Sequence, residues 1–472
     1  MPFIADEPLL QMILDKHFQS HTFPIVGLGG SSIPFAYGAS ALWIYGAARL
    51  FVSSLEALVL VHGILYSLGI VALYFLLRRR VSREITWLVL WLGFSSPFLF
   101  FYSRMLWDNT FCMPSSALLL LLLDRLDQER PTQKLLWALL GFGAGFMINI
   151  HLMTGAFVLA AGITALCILA RAKLDPLEKL KYLLIALAVF IATITPYVYE
   201  AVVLYPQQGA LDNVPHRELW GNGRNLWWLL QRSVVWLSTW KAHDFFGVAY
   251  PSFEVFVGKT WALLFRNDFL GWFEKLFALS YILGLLVDIR RGRRLDAIQI
   301  CLVLSFFSVL VVYNLLNIPT EAHYFHPVWW MGFLALGLGL NQLQQNWRRV
   351  MIAITLYGAV LNTAFIFESS QYVEANHGMR NLTYGIVMKD IRARLEEICG
   401  KMHAKQVKLN FDVLLMIHPM HYFNHHLAAC ADKELLLVQS KNEADWNLVY
   451  QDGASGSSAE VIWEKGGRSS GN

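Results

Sequence analysis

Residues 55–83 read LEALVLVHGILYSLGIVALYFLLRRRVSR. Between Leu55 and Leu77 the only charge is Glu56, and then Arg78, Arg79, Arg80 and Arg83 arrive together. Crossing a hydrocarbon core about 30 Å thick takes about 20 mostly apolar residues in a helix. The stretch is long enough to span a membrane, and its basic flank marks the end retained in the cytoplasm.

Reading outward from it, nine more apolar stretches follow, giving ten in all: about 55 to 77, 85 to 101, 108 to 124, 135 to 150, 152 to 170, 182 to 204, 268 to 289, 296 to 314, 326 to 343 and 350 to 368. Every second loop between them is basic. One face collects Arg78 to Arg83, then Arg125, Arg130 and Lys134, then Arg171, Lys173, Lys179 and Lys181, then Arg290 to Arg294, and finally Arg348 and Arg349. The three short loops of the other face contain Arg104 alone. The sidedness predicts an all-α polytopic membrane protein. Residues 1–50 form an external first segment, 51–368 a transmembrane core with a long external loop at 205–267, and 369–472 a small external α/β domain with a Gly/Ser-rich tail.

Composition agrees. The chain has 472 residues, 56% hydrophobic and 15% charged, against roughly 25% charged in soluble proteins. A net charge of +4 is too small over this length to suggest nucleic-acid binding. Five cysteines without a CxxC pair or a Cys/His cluster argue against a zinc module or a disulfide-framed secreted domain. Cys399 and Cys430 are the two that fall outside the spans; an oxidising compartment would allow them to pair, and two free thiols are the alternative.

Polar chemistry gathers on the external face. The first segment opens with Ala5-Asp6-Glu7-Pro8 and continues to Gly27-Leu28-Gly29-Gly30-Ser31-Ser32. Gly29 and Gly30 suit a tight turn or a close approach, but the run lacks the Gly-Lys-Ser/Thr ending of a phosphate-binding loop. The second external loop is Phe101-Tyr102-Ser103-Arg104-Met105-Leu106-Trp107-Asp108-Asn109. A helix starting near Asp108 would make that carboxylate a cap. Ionisable groups at a membrane boundary, such as Arg104 and Asp108, also tend to line functional cavities. A third turn is Pro319-Thr320-Glu321-Ala322-His323-Tyr324-Phe325-His326-Pro327. Its histidines and tyrosine suit phosphate oxygens or serve as interfacial anchors, and His151 shares that ambiguity. The long loop interleaves Trp220, Trp227, Trp228, Trp236 and Trp240 with Arg224, Arg232 and Lys241. That pattern fits a helix lying in the headgroup plane or a wall around a lipid-linked phosphate. Gly141, Gly143 and Gly145 suit close helix packing.

The external acidic pair, the Ser103–Asp108 loop and the late His323–Pro327 turn, in this order and on one side, resemble the GT-C glycosyltransferase superfamily. The nearer likeness is to the branch of protein O-mannosyltransferases and bacterial aminoarabinose transferases. The resemblance covers roughly residues 1–368. It implies an inverting transfer of a sugar from a polyprenyl-phosphate-linked donor to a lipid, glycan or protein acceptor, at the external face of the plasma (inner) membrane. It makes Asp6 the base, Glu7 its neighbour and Asp108 the acid of the second loop. Arg104, His323, Tyr324, Arg224 and Lys241 are then candidates for the donor phosphate. No cofactor is required, while a divalent cation held by Asp6, Asp108 and a histidine is compatible, since some members use one. In the family a helix precedes the acidic pair, so the pattern expects one upstream of residue 1. The rival reading is a transporter or flippase for a lipid or small solute. It calls for charges near mid-membrane and inverted repeats, whereas here the charges collect at the boundaries.

Overall fold

The computed structural model describes residues 6–29, 36–128, 132–199, 250–265, 269–315 and 322–375. Beyond these it describes four short strands and a few isolated positions. Two compact units emerge. One comprises Met1–His21, Phe246–Phe256 and Glu368–Asn472; the other comprises Thr22–Phe245 and Val257–Phe367.

The larger unit starts with a short antiparallel hairpin, β1 (Val26–Gly29) and β2 (Ala36–Gly38), in which Val26 faces Gly38 and Gly29 faces Ala36. Helix α2 (Ser40–Arg49) leads to α3 (Leu55–Leu77), whose Ser54 cap accepts the Ala57 amide at 3.1 Å. At 1.5 Å per residue α3 is about 35 Å long, enough to cross a bilayer. Helices α4 (Arg83–Phe94) and α5 (Pro97–Tyr102) share what reads as one span at 85–101. Ser95-Ser96-Pro97 divides them because Pro97 has no amide proton to continue α4 but suits the first turn of α5. Then come α6 (Cys112–Gln128), α7 (Lys134–Ile150), α8 (Gly155–Arg171) and α9 (Pro176–Tyr199).

After residues 200–249, which lie outside the described part, the chain resumes as α10 (Tyr250–Val257), α11 (Lys259–Phe265), α12 (Phe269–Arg290), α13 (Ala297–Leu315), α14 (Trp330–Gln342) and α15 (Gln345–Ala375). Helical structure thus lies at each of the ten apolar positions. Among the described residues, five helical stretches are long and apolar enough to cross a membrane: Leu55–Leu77, Leu152–Arg171, Pro176–Tyr199, Lys259–Arg290 and Gln345–Tyr372. The remainder are shorter, and Pro327 explains one of them. It sits in a 3-10 turn, Ala322–Val328, that delays α14 to Trp330.

The glycines of α7 set its packing on α9. A Cβ at Gly141 would collide with the Ala186 carbonyl, and one at Gly145 would come within 2.8 Å of Thr193 Cβ. Only residues without side chains admit this approach. Asn149 Nδ2 then donates to the Thr193 carbonyl at 2.8 Å, fastening the other end of the pair. Otherwise α9 buries only Tyr182 and Tyr197, and Leu180, Leu184, Leu187 and Ile191 are exposed.

At the end carrying the basic loops, charge is buried in pairs. Arg80 Nη2 contacts Asp124 Oδ1, Arg80 Nε reaches Asp296 Oδ2 at 3.1 Å, and Arg79 Nη1 reaches Asp124 Oδ2 at 3.3 Å. Asp124 is fully buried and the Arg80 side chain 8% exposed. Asp127 accepts the first amide of α13, from Ala297, at 3.0 Å, and Asn341 Nδ2 donates to the Arg80 carbonyl at 3.2 Å. Helices α3, α6, α13 and α14 are joined by this cluster.

The smaller unit contains α1 (Asp6–Ser20), whose buried residues Glu7, Leu10, Gln11 and Leu14 recur at helical spacing and form one face. Phe253 and Phe256 of α10 pack edge-on against Tyr372 of α15, at 5.5 Å each. Strand β3 (Gln406–Leu409) pairs in parallel with β4 (Leu436–Gln439), and β5 (Trp446–Gln451) pairs antiparallel with β6 (Ser458–Trp463). Cys430 is disulfide-bonded, whereas Cys112, Cys167 and Cys301 are free thiols.

Candidate active site

Opposite the basic end, the chain from α5 to α6 makes a sharp passage. Asp108 caps a 3-10 turn, Asn109–Phe111, that runs straight into α6, and its Oδ1 accepts the Asn109 amide at 2.7 Å. The expected capping role is what the structure shows, one turn ahead of the regular helix. Asp108 is 3% exposed.

Side chains from distant elements hold the backbone on both sides of it. The Trp107 carbonyl accepts Thr110 Oγ1 at 2.6 Å and the Tyr45 hydroxyl of α2 at 3.3 Å. Tyr45 in turn lies 3.2 Å from His62 Nδ1, about two turns into α3. On the far side, His326 Nδ1 lies 3.1 Å from the Asn109 carbonyl. A carbonyl only accepts, so that nitrogen carries the proton. His326 is fully buried, with Tyr102 edge-on at 4.3 Å and Phe98 at 5.1 Å.

A second cluster adjoins through the same 3-10 turn. The His151 ring lies 3.9 Å from that of Tyr37 of β2, tilted by 31°, with Tyr324 edge-on at 6.2 Å. His151 Nδ1 accepts the Met153 amide at 3.3 Å, which leaves the proton on Nε2. The hairpin reaches this point because Gly38 has no Cβ; one there would strike the backbone of Asn149 at the end of α7. Gly27, in the run the sequence points to, is needed as well, since a Cβ there would come within 2.5 Å of the Gly38 carbonyl. Tyr313 fixes the turn by donating to the Tyr324 carbonyl.

The remaining candidates divide. Arg104 is exposed in the loop, with its guanidinium carbon 3.7 Å from the centre of the Phe100 ring. Partial desolvation there lowers its pKa from the ordinary arginine value, yet it stays cationic. Glu7 is buried in the smaller unit. Asp6 opens α1, but its side chain lies outside the described residues, as do the His323 side chain and both Arg224 and Lys241. Among the described residues no three His, Cys, Asp or Glu side chains gather as metal ligands; the cation allowed at Asp6, Asp108 and a histidine would involve Asp6, whose side chain lies outside them. An apolar cavity of about 670 Å³ lies at this end of the α7–α9 pair, lined by Phe23, Ile25, Trp43, Phe142, Thr193 and Pro196 among others.

Local sequence reading passes over His62 and Tyr45, and it notes His326 with His323 but puts only His323 forward as a phosphate candidate. The signal for His326 is its setting, between Phe325 and Pro327 and ahead of Trp329 and Trp330, where a histidine has to be buried and bonded.

The apolar helices and the buried, one-sided polar site define an integral multi-pass membrane protein. Residues 39–199 match the model of the dolichyl-phosphate-mannose-protein mannosyltransferase family. That stretch runs from the start of α2 through α9 and includes Arg104, Asp108 and His151. The match supports the resemblance to GT-C membrane glycosyltransferases of the mannosyltransferase-like type. Among solved structures, the chain is similar to apo ArnT from Cupriavidus metallidurans, with 13% identity, a TM-score of 0.44, and coverage of 93% of this chain and 82% of that one. No curated protein matches the sequence.

Proposed function

We propose that the chain is an inverting glycosyltransferase that moves a sugar from a polyprenyl-phosphate-linked donor to an acceptor at the external face of the membrane. The observation that carries this reading is the buried Asp108 carboxylate at the end opposite the basic loops, inside the segment that matches the mannosyltransferase family. A donor of this kind brings its own membrane anchor, so no nucleotide-binding domain is called for. The family description names dolichyl-phosphate-mannose, which makes a lipid phosphate mannose the first donor to try. The apolar cavity beside Trp43 and Pro196 would suit part of an isoprenoid chain.

In this reading Asp6 accepts the proton of the acceptor hydroxyl or amine as that atom attacks the anomeric carbon. The bond from that carbon to the phosphate oxygen breaks on the opposite side, polyprenyl phosphate leaves with the electron pair, and the configuration inverts. Glu7 supports Asp6, and Asp108 orients the reacting groups from the second loop. Arg104, Tyr324, His323, Arg224 and Lys241 are the proposed partners for the charge developing on the phosphate. Ten spans, a C-terminal α/β domain outside, and a plasma (inner) membrane location complete the proposal. The alternation of basic loops supports that orientation, and the Cys430 disulfide fits an oxidising exterior.

The test compares membranes containing the wild-type chain, Asp6→Asn or Asp108→Asn, supplied with radiolabelled polyprenyl phosphate mannose and parallel lipid-linked sugars. Each substitution is expected to lower transfer by about 100- to 10,000-fold at unchanged membrane abundance. Full transfer by both variants would refute the assignment of the acids.

A further inference from the structure

We propose that His326 is a positioning residue for Asp108, a role that rests on the reading of Asp108 given above. Asn109 is the link. Its amide donates to Asp108 Oδ1 at 2.7 Å, and its carbonyl accepts from His326 Nδ1 at 3.1 Å. One carboxylate oxygen is therefore tied to the Asn109 backbone, and that backbone is pinned by a ring from a segment more than two hundred residues away.

Three features separate this from ordinary packing. The contact is made by one proton of fixed position, because a carbonyl accepts and Nδ1 must donate. The imidazole is fully buried and walled by Phe98 and Tyr102, so it cannot swing away to a different partner without displacing rings. The Trp107 carbonyl, on the other side of Asp108, is already held by Thr110 and Tyr45. His326 supplies the anchor on the Asn109 side, so the carboxylate sits in a backbone held from both directions. Such an arrangement fixes the acid's aim through the backbone. Small misplacements of a reacting group are costly, of the order of 100-fold per ångström.

The experiment uses the full chain in detergent with three variants: His326→Ala, which removes the donor; His326→Asn, whose side-chain amide can reach as Nδ1 does; and Asp108→Asn. Hydrogen exchange over residues 105–112 reads the anchoring directly. Kinetics with radiolabelled polyprenyl phosphate mannose, and a panel of other lipid-linked sugars, read its effect on turnover.

His326→Ala is expected to speed exchange at 108–111 and to lower kcat by roughly 10- to 100-fold with KM for the donor within about threefold. His326→Asn is expected to restore most of both, and the thermal midpoints of the two variants should stay close to each other. The inference is overturned if His326→Ala exchanges and turns over like the wild type. It is also overturned if His326→Asn is as impaired as His326→Ala, or if the loss of kcat merely follows the loss of folded protein. Full turnover by Asp108→Asn, or no transfer by the wild type from any donor in the panel, overturns the function reading instead. The exchange data still decide whether His326 anchors Asn109.

Discussion

The two ends of the larger unit hold buried carboxylates by opposite means. At the basic end, Asp124 is gripped directly, with Arg79 and Arg80 on its two oxygens and Asp296 sharing Arg80. At the other end, Asp108 Oδ1 accepts the Asn109 amide, and the carbonyls on either side of Asp108 are held by Tyr45, Thr110 and His326. A directly gripped carboxylate is a fastener whose charge is consumed by its partners. A carboxylate bonded to its own backbone, with side chains pinning that backbone on both sides, is placed by the loop around it. Burial alone does not separate the two, since both acids are nearly inaccessible; the identity of the bonded atoms does.

Asp124→Ala is the hardest test of the first half of that contrast. It leaves Arg80 buried with one counter-charge removed, which is expected to cost about 3–5 kcal/mol. The cost would be read as a lowered denaturation midpoint in detergent, with the specific activity of the surviving protein unchanged. A selective loss of kcat there would break the comparison. Next is Gly141→Ala, whose methyl would meet the Ala186 carbonyl and force α7 away from α9. About 1–3 kcal/mol of overpacking cost is expected, measured the same way. Tyr45→Phe sharpens the second half. It removes a buried hydroxyl between His62 and Trp107 and is expected to cost about 1 kcal/mol in stability. It should also lower turnover measurably, since it loosens the Trp107 side of Asp108. Arg293→Ala comes last. Its pair with Asp288 spans 3.0 Å but the arginine is 66% exposed, so the midpoint should move by about 0.5 kcal/mol or less.

Much of the architecture can be read from local sequence because the forces behind it are local. Apolar length and the placement of arginines locate the helices and Asp108 signals its own cap, whereas the interruptions at Pro97 and Pro327 fall inside stretches that read as continuous spans. Gly141 and Gly145 also declare themselves, since nothing but close packing explains small residues at that spacing in an apolar helix. The support for Asp108 is a different matter. Tyr45, His62 and His326 look like interfacial or core residues in their own segments, and their meaning appears only when α2, α3 and the Ala322–Val328 turn converge on one loop. The sequence reading puts forward His323 rather than His326, although local pattern gives the two histidines equal standing. What separates them is which residue meets Asn109, a property of the tertiary fold.

The glycine face of α7 has a further consequence for the order in which the chain assembles. Helix α9 buries little beyond what α7 offers, and α7, α8 and α9 leave the ribosome in succession. The α7–α9 pair can close as soon as α9 is inserted, and with it the Asn149 latch. Helix α8 packs against α6 and α7 as well as α13, but α13 is synthesised only after residues 200–249, so that part of its inner face is covered late. Biogenesis is therefore staged: an early three-helix hairpin, then a late docking step that completes the bundle.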